Sequence, residues 1–287
     1  MKKRWLLNLA LLAFLVLLAV LVKYQPGAPD EEHRAGPPLT NLKADQVQRI
    51  RIARPQQDEI TLEREGEEWL LRSPRRARAD QFRVEGVLAL AAAQTEKRFP
   101  AQDLAPYGLD KPLATVWLND VEIRLGALHP LNDLQYAWLN GEIALIPSAS
   151  FRAAASQASD FFSTNLLEKD RRPVSIKLPK FSLVLREGSW QVQPEIKNLS
   201  GDRINTFVEE WRFARALNVT PHEPKSSAGK VVIAYVREDK GGDPAPAQLE
   251  IDVLSYQPEL VLYRKDEGLD YHFPKGTGER LFELAAP

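Results

Sequence analysis

Four arginines lie within seven residues of the chain and form its densest group of side chains suited to binding chemistry. They are Arg72, Arg75, Arg76 and Arg78. A guanidinium group makes parallel hydrogen bonds to phosphate or carboxylate oxygens, so the cluster predicts contact with an anion: a lipid headgroup, a lipopolysaccharide phosphate or an acidic partner. The alternative is a loop whose charges are simply solvated. The sequence favours the solvated loop and leaves the anion contact as a hypothesis.

The sequence offers little else that is suited to catalysis. It has no cysteine, which excludes disulfides, thiolate metal sites and cysteine nucleophiles, and its four histidines are widely scattered. The HExxH, GxSxG and GxxxxGKS/T motifs are absent, so we expect no metal, no cofactor and no catalytic residues. The two catalytic carboxylates of a glycoside hydrolase can come from any two positions in the sequence, so motif absence does not exclude them. Glu122 and Glu250, at corresponding strand positions, are nevertheless interpreted as solvated residues.

The overall composition is that of a folded protein. Of the 287 residues, 44% are hydrophobic and 27% are charged, which excludes wholesale disorder and predicts two domains or one large one. The 38 basic and 39 acidic residues give a net charge of −1. A molecule with this balance has no overall field that would attract nucleic acid, so we expect no nucleic-acid partner.

A membrane anchor is predicted at the N-terminus, within residues 1–24. Lys2, Lys3 and Arg4 precede an apolar run whose one polar residue is Asn8. As a helix this run would rise about 27 Å, close to the hydrocarbon thickness of a bilayer, and the basic residues would stay in the cytoplasm. The residues that mark the anchor are the aromatic rings at its ends and the apolar side chains between them: Trp5, Leu6, Phe14, Val22 and Tyr24.

A cleaved secretory signal is the alternative to this anchor. The apolar part of such a signal is about 7–15 residues long and ends in small residues, whereas this run is longer and residues 21–24 include no small residue. The sequence therefore predicts a single-pass membrane protein, with everything after Tyr24 outside the cytoplasm. Residues 25–46, which are rich in proline and glycine, are predicted to form a solvated tether.

The rest of the chain consists of two similar stretches, 47–170 and 171–287. In each, alternating apolar and polar residues predict short antiparallel strands, with a Glu-Gly turn and then a tryptophan. A helix follows, beginning near Asp80 in the first stretch and near Asp202 in the second. The predicted fold class is α+β: an N-terminal transmembrane helix followed by two duplicated units of antiparallel strands with packed helices.

A structural corner is predicted between Tyr107 and Pro112. Gly108 permits a turn, Pro112 restricts the residue before it to extended geometry, and Tyr107 can pack beneath. With Asp110, these residues form the sequence Tyr-Gly-Leu-Asp-Lys-Pro. Together with the strand–helix unit before it, this segment resembles a bacterial envelope family known as domain of unknown function 4340, over roughly residues 40–220.

This resemblance implies a location and partners rather than an activity. Members of the family are similar in having one N-terminal anchor and an extracytoplasmic domain, and some look like auxiliary components of gliding-motility-type ABC export systems. The family offers no catalytic residues to carry over. We therefore expect a non-enzymatic accessory protein, anchored in the bacterial inner membrane with its C-terminal domain in the periplasm. It would bind an ABC permease or another auxiliary subunit, with anionic lipid as a further contact. The alternatives are a lipid- or lipopolysaccharide-binding protein with a long apolar groove, and an envelope glycan hydrolase with unrecognised carboxylates.

Overall fold

The computed structural model describes residues 36–197, 199–237 and 246–284, together with Phe14. Apart from Phe14, the predicted anchor at 1–24 lies outside these residues, as does the start of the predicted tether. Among the residues that are described, no helix is long and apolar enough to cross a membrane.

Two antiparallel sheets with few helices make up the described chain, so its class is α+β. The first sheet has nine strands in the spatial order β4-β3-β2-β1-β6-β7-β8-β9-β5. Its strands are β1 (Arg49–Ala53), β2 (Ile60–Glu65), β3 (Glu68–Ser73), β4 (Ala77–Arg78), β5 (Lys97–Pro100), β6 (Ala114–Leu118), β7 (Val121–Leu128), β8 (Leu134–Leu139) and β9 (Glu142–Pro147).

The second sheet has eight strands in the order β12-β11-β10-β14-β15-β16-β17-β13. Its strands are β10 (Arg171–Lys177), β11 (Ser182–Arg186), β12 (Ser189–Gln193), β13 (Asn218–Pro221), β14 (Gly229–Arg237), β15 (Ala247–Ser255), β16 (Val261–Arg264) and β17 (Leu269–His272). If β4 is set aside, the first sheet has the same order strand for strand. We call each sheet with its helices a unit, the first and the second.

The helices also occupy corresponding places in the two units, one after the third main strand and one after the last. Asp80 begins the first helix as predicted, because its carboxylate accepts a hydrogen bond from the Arg83 amide (3.1 Å). In the second unit the capping residue is Ser200, two residues before the predicted Asp202. The helices of the described chain are α1 (Gln81–Leu88), α2 (Ala149–Ala154), α3 (Gly201–Arg212) and α4 (Thr277–Phe282).

One core runs through both units. Strand alternation turns apolar residues such as Ile50 and Ile52 towards the helices, where they are fully buried. In the second unit α3 contributes Phe207 and Trp211, and the Trp211 ring nitrogen donates to the Leu281 carbonyl (2.8 Å). That bond ties α3 to α4 and fixes the position of the last helix.

The predicted tether ends earlier than residue 46. Leu39 is buried and its amide donates to the Ala93 carbonyl (2.8 Å), while the Thr40 hydroxyl donates to the Ala91 carbonyl (2.9 Å). These residues pack against the first unit because a buried apolar side chain and two hydrogen bonds to backbone carbonyls outweigh the proline-rich composition around them.

Candidate functional site

The four arginines of the predicted anion contact separate into two kinds. Arg72 crosses to β2, where it is paired with two glutamates. Arg78 is turned towards the second unit and is mostly buried. Arg75 and Arg76 are exposed. These two arginines are the part of the predicted contact that is open to a partner.

Arg78 belongs to a buried group of charges where the two units meet. Its guanidinium donates to the Glu267 carboxylate (2.5 Å), the Tyr271 hydroxyl (2.9 Å) and the Asn165 carbonyl (2.8 Å). Tyr271 in turn donates to Glu267. Strand β4 is thereby joined to the turn between β16 and β17. We call the group the junction cluster: Arg78, Glu168, Arg171, Arg264, Asp266, Glu267 and Tyr271.

Arg264 lies at the centre of the junction cluster, and its side chain is 0% exposed. It donates to the Leu166 carbonyl (2.6 Å) and to the carboxylates of Asp266 (2.5 Å) and Glu168 (3.3 Å). Arg171 lies 2.6 Å from the Glu168 carboxylate. A buried charge is tolerated only when it is paired, and here each arginine has a carboxylate beside it.

The charges of the junction cluster shift one another's pKa values. Burial raises the pKa of Glu168, but Arg78, Arg264 and Arg171 outweigh it and hold that pKa below its usual value. Burial lowers the pKa of Arg264, but the hydrogen bond to Asp266 and the nearby glutamates reverse the shift and raise it. Burial raises the pKa of Tyr271, so its hydroxyl stays protonated. The cluster is therefore an internally neutralised brace between the units.

The chain from Arg75 to Asp80 runs along the second unit. The position of an added Gly268 β-carbon lies 3.3 Å from an Arg75 guanidinium nitrogen, and Arg215 lies 3.7 Å from the Asp80 carboxylate. Large exposed side chains lie two residues from Asp80 or from Arg215 in the sequence: Phe82 (76% exposed), Phe213 (65%) and Leu217 (73%). We call the following exposed residues the seam surface: Arg75, Arg76, Phe82, Phe213, Arg215 and Leu217.

A cleft of about 670 Å³ next to the junction cluster contains acidic side chains. Partial desolvation of its carboxylate and the neighbouring Asp170 raise the pKa of Glu68, which is the kind of perturbation that the hydrolase alternative requires. However, Glu68 remains exposed, and Asp170 is paired with Arg237 (3.8 Å). Glu122 and Glu250 are also in ion pairs, with Arg124 and Lys230. These carboxylates have the environment of surface residues.

The predicted corner is packed on β7 of the first sheet. Gly108 has a left-handed backbone (φ 65°), and the Tyr107 ring contacts those of Phe99 (5.5 Å) and Tyr136 (4.8 Å). A β-carbon added at Gly126 would lie 2.3 Å from the Tyr107 carbonyl oxygen. Pro112 is half-buried, and Asp110 is exposed, so neither supplies a buried reactive group. The segment therefore acts as a structural support.

The second unit has a different arrangement at the corresponding edge. His222, which follows β13, stacks on the Tyr263 ring (3.6 Å between centroids) and bonds to the Asp270 carboxylate through Nδ1 (2.7 Å). Asp270 is buried, and no motif in the sequence indicates a role for these side chains. The signal was weak because His222 lies 48 positions before Asp270 and follows a different strand.

A pocket of about 600 Å³ opens at one end of the second unit. It lies between the β10–β11 turn, the β15–β16 loop and α4, and its walls include Phe181, Tyr256, Leu260 and Phe282. The rings of Tyr256 and Phe282 meet edge to face (5.0 Å), and burial raises the pKa of Tyr256. The pocket has the size and the apolar walls of a site that binds a small ligand. Periodicity could not have revealed it, because three separate elements form it.

The described residues contain no group of three His, Asp or Glu side chains that could hold a metal ion. No curated protein and no solved structure matches the chain. The model of one family, Domain of unknown function (DUF4340), matches residues 35–112 and 69–228, which together are more than half of the chain. The chain therefore belongs to the DUF4340 family.

Proposed function

We propose that the protein is a non-enzymatic accessory protein of an ABC transport system. In this proposal the apolar run at 1–24 anchors it in the inner membrane of a Gram-negative bacterium. The folded part then lies in the periplasm and docks on the permease or on another auxiliary subunit. The shared strand order of the two sheets supports an internal duplication that supplies two units, about 47–170 and 171–287.

The observation that carries the docking role is the seam surface. Phe82, Phe213 and Leu217 are each at least 65% exposed, whereas side chains of this size are usually buried. Arginines lie among them, and aromatic residues and arginine are enriched in protein interfaces. The positive charge of Arg75, Arg76 and Arg215 predicts a partner surface that is apolar with acidic residues at its rim.

The junction cluster gives this surface its rigidity. The seam surface is built from both units, so it keeps its shape only if the units cannot move apart. Arg78 and Arg264 supply that restraint through buried hydrogen bonds across the junction. A preformed surface loses less conformational entropy on binding, which favours docking.

The test is to purify the full-length protein with a tag at Pro287 in mild detergent and to identify co-purified proteins by mass spectrometry. We expect ATPase and permease subunits at near-stoichiometric amounts. The triple variant Phe82→Ser, Phe213→Ser, Leu217→Ser should lose them. The control Leu131→Ser, at a side chain 86% exposed and outside the seam surface, should keep them. Recovery of the wild-type protein alone, or retention of partners by the triple variant, would refute the docking role.

A second candidate function is binding of a lipid or lipopolysaccharide, and the pocket of the second unit is the observation that favours it. Its walls are mostly apolar, and Lys180 and Lys275 lie at its edge. This candidate does not compete with docking, because the pocket residues and the seam surface are different residues.

A further inference from the structure

We infer that the pocket of the second unit binds a single-chain zwitterionic amphiphile, one acyl chain joined to a head that carries a phosphate and an ammonium group. The inference gives the second candidate function a site and a ligand class, and it does not depend on the docking role.

The first argument is a difference between two units that share one topology. In the first unit, Arg54 of the β1–β2 turn donates to the carbonyls of Ala155 (2.9 Å) and Ser156, just after α2. That contact closes the gap between turn and helix. In the second unit, no hydrogen bond among the described residues joins the corresponding β10–β11 turn to α4, and the pocket lies between them.

The end of α4 in the second unit is instead held from its other side. Arg203 of α3 donates to the carbonyls of Glu283 and Leu284 (both 3.2 Å). The last helix is therefore fixed without any side chain from the β10–β11 turn. This arrangement keeps the pocket open while its walls stay in place.

The second argument is that the walls are rigid and aromatic. Phe282 contacts both Tyr256 (5.0 Å) and Trp211 (5.6 Å), and Trp211 is fully buried. The Phe181 ring lies tilted against that of Phe207, with 5.6 Å between the ring centroids. Rings held by a buried core present a preformed apolar surface, so an acyl chain can enter without reorganising the fold.

The third argument is the charge at the rim. Lys180, Lys275, Glu279 and Glu283 all line the pocket and are exposed. Within the described part of the chain, none of the four is in an ion pair. Two cations and two anions at one rim match a head that carries both signs, the lysines facing phosphate and the glutamates facing ammonium. A purely anionic head would meet the glutamates unfavourably.

The test uses the absence of cysteine from the chain. Full-length Gln257→Cys, labelled at the pocket with an environment-sensitive fluorophore and held in amphipol, is titrated with lysophosphatidylethanolamine, lysophosphatidylglycerol or monoacylglycerol. We expect a saturable signal with a preference of about tenfold for the zwitterion over the other two, which corresponds to about 1.4 kcal/mol. The same label at Asp58→Cys, in the first unit, should show no saturable response.

Two variants separate the acyl chain from the head. Gly278→Leu places a side chain against Leu260 and Tyr256, since an added β-carbon would lie 3.7 Å and 3.4 Å from their atoms, and it should abolish the signal for every ligand. Lys180→Gln with Lys275→Gln should lower affinity for the two phosphate ligands and leave monoacylglycerol unchanged, while Lys111→Gln should change nothing. Circular dichroism confirms that each variant is folded.

Three results would overturn the inference: no saturable signal from any ligand, unchanged binding by folded Gly278→Leu, or equal affinity for all three heads. The experiment contains only the purified chain and a ligand. Its failure would therefore leave the docking role, which is tested by co-purification, unaffected.

Discussion

Replacing Arg78 with methionine tests whether the junction cluster holds the two units together. The side chain of Arg78 is 13% exposed, and the variant removes its hydrogen bonds to Glu267, Tyr271 and Asn165. Removing one member of a buried ion pair costs about 3–5 kcal/mol, because the other charge stays buried without its partner. Arg264 remains 3.6 Å from Glu267, so we expect a loss near the lower limit, about 3 kcal/mol.

The assay is urea unfolding of the full chain in mild detergent, followed by tryptophan fluorescence. With a slope of about 1–3 kcal/mol per molar urea, Arg78→Met should lower the midpoint by at least about 1 M. The matched control is Arg76→Met, two residues away and exposed, which should stay within about 0.5 kcal/mol of the wild type. An Arg78→Met protein as stable as this control would refute the bracing role.

The pH dependence gives a second readout for the same variant. Arg78 helps to hold the pKa of Glu168 below its unfolded value of about 4.3. A lowered folded pKa contributes stability that is present above the unfolded pKa and is lost as the pH falls through the folded pKa. The stability difference between wild type and Arg78→Met should therefore be largest at neutral pH and shrink below about pH 4.

Three further predictions concern the anchor, the corner and the first unit. Leu15→Arg should release the protein from sedimenting membranes; if it still sediments, the anchor interpretation is wrong. Gly126→Ala should destabilise by about 2 kcal/mol, since its β-carbon would meet the Tyr107 carbonyl, while Gly201→Ala, where nothing lies within 4 Å, should be nearly neutral in the same urea assay. Arg54→Ala should lower the free energy of unfolding by about 1–2 kcal/mol, because the hydrogen bond to the Ala155 carbonyl is lost. It should also open a gap after α2 that binds an apolar dye, and an unchanged melting curve would contradict this prediction.

Local patterns predicted the strands well because alternation is a local property. Residues 60–64 alternate between apolar and polar and lie in the strand Ile60–Glu65, and the alternating residues 249–253 lie within Ala247–Ser255. Residues 153–162 do not form one continuous helix. A helix ends at Ala154 and a short 3₁₀ turn begins at Ala158, because Gln157 between them is extended (ψ 162°).

The site could not be predicted in the same way, because its parts meet only in three dimensions. Arg78 and Glu267 are 189 positions apart, and no periodicity links them. The arginine cluster was visible in the sequence, yet sequence alone could not show that Arg78 points inwards while Arg75 and Arg76 stay exposed. Burial of a charge depends on partners from other elements, which is a tertiary property.

The differences between the two units are more informative than their likeness. In the described part of the chain, the second sheet has no strand at the position of β4. Strand β4 carries Arg78, which makes hydrogen bonds between the units. Arg54 closes the first unit, and the second unit has a pocket at the corresponding place. Two identical copies would lack both features. The extra strand β4 provides a fixed junction between the units, and among the described residues the missing contact leaves a pocket in the second unit and not at the corresponding place in the first. If the two units arose by duplication, the function should be sought at the places where they now differ, the junction cluster and the pocket.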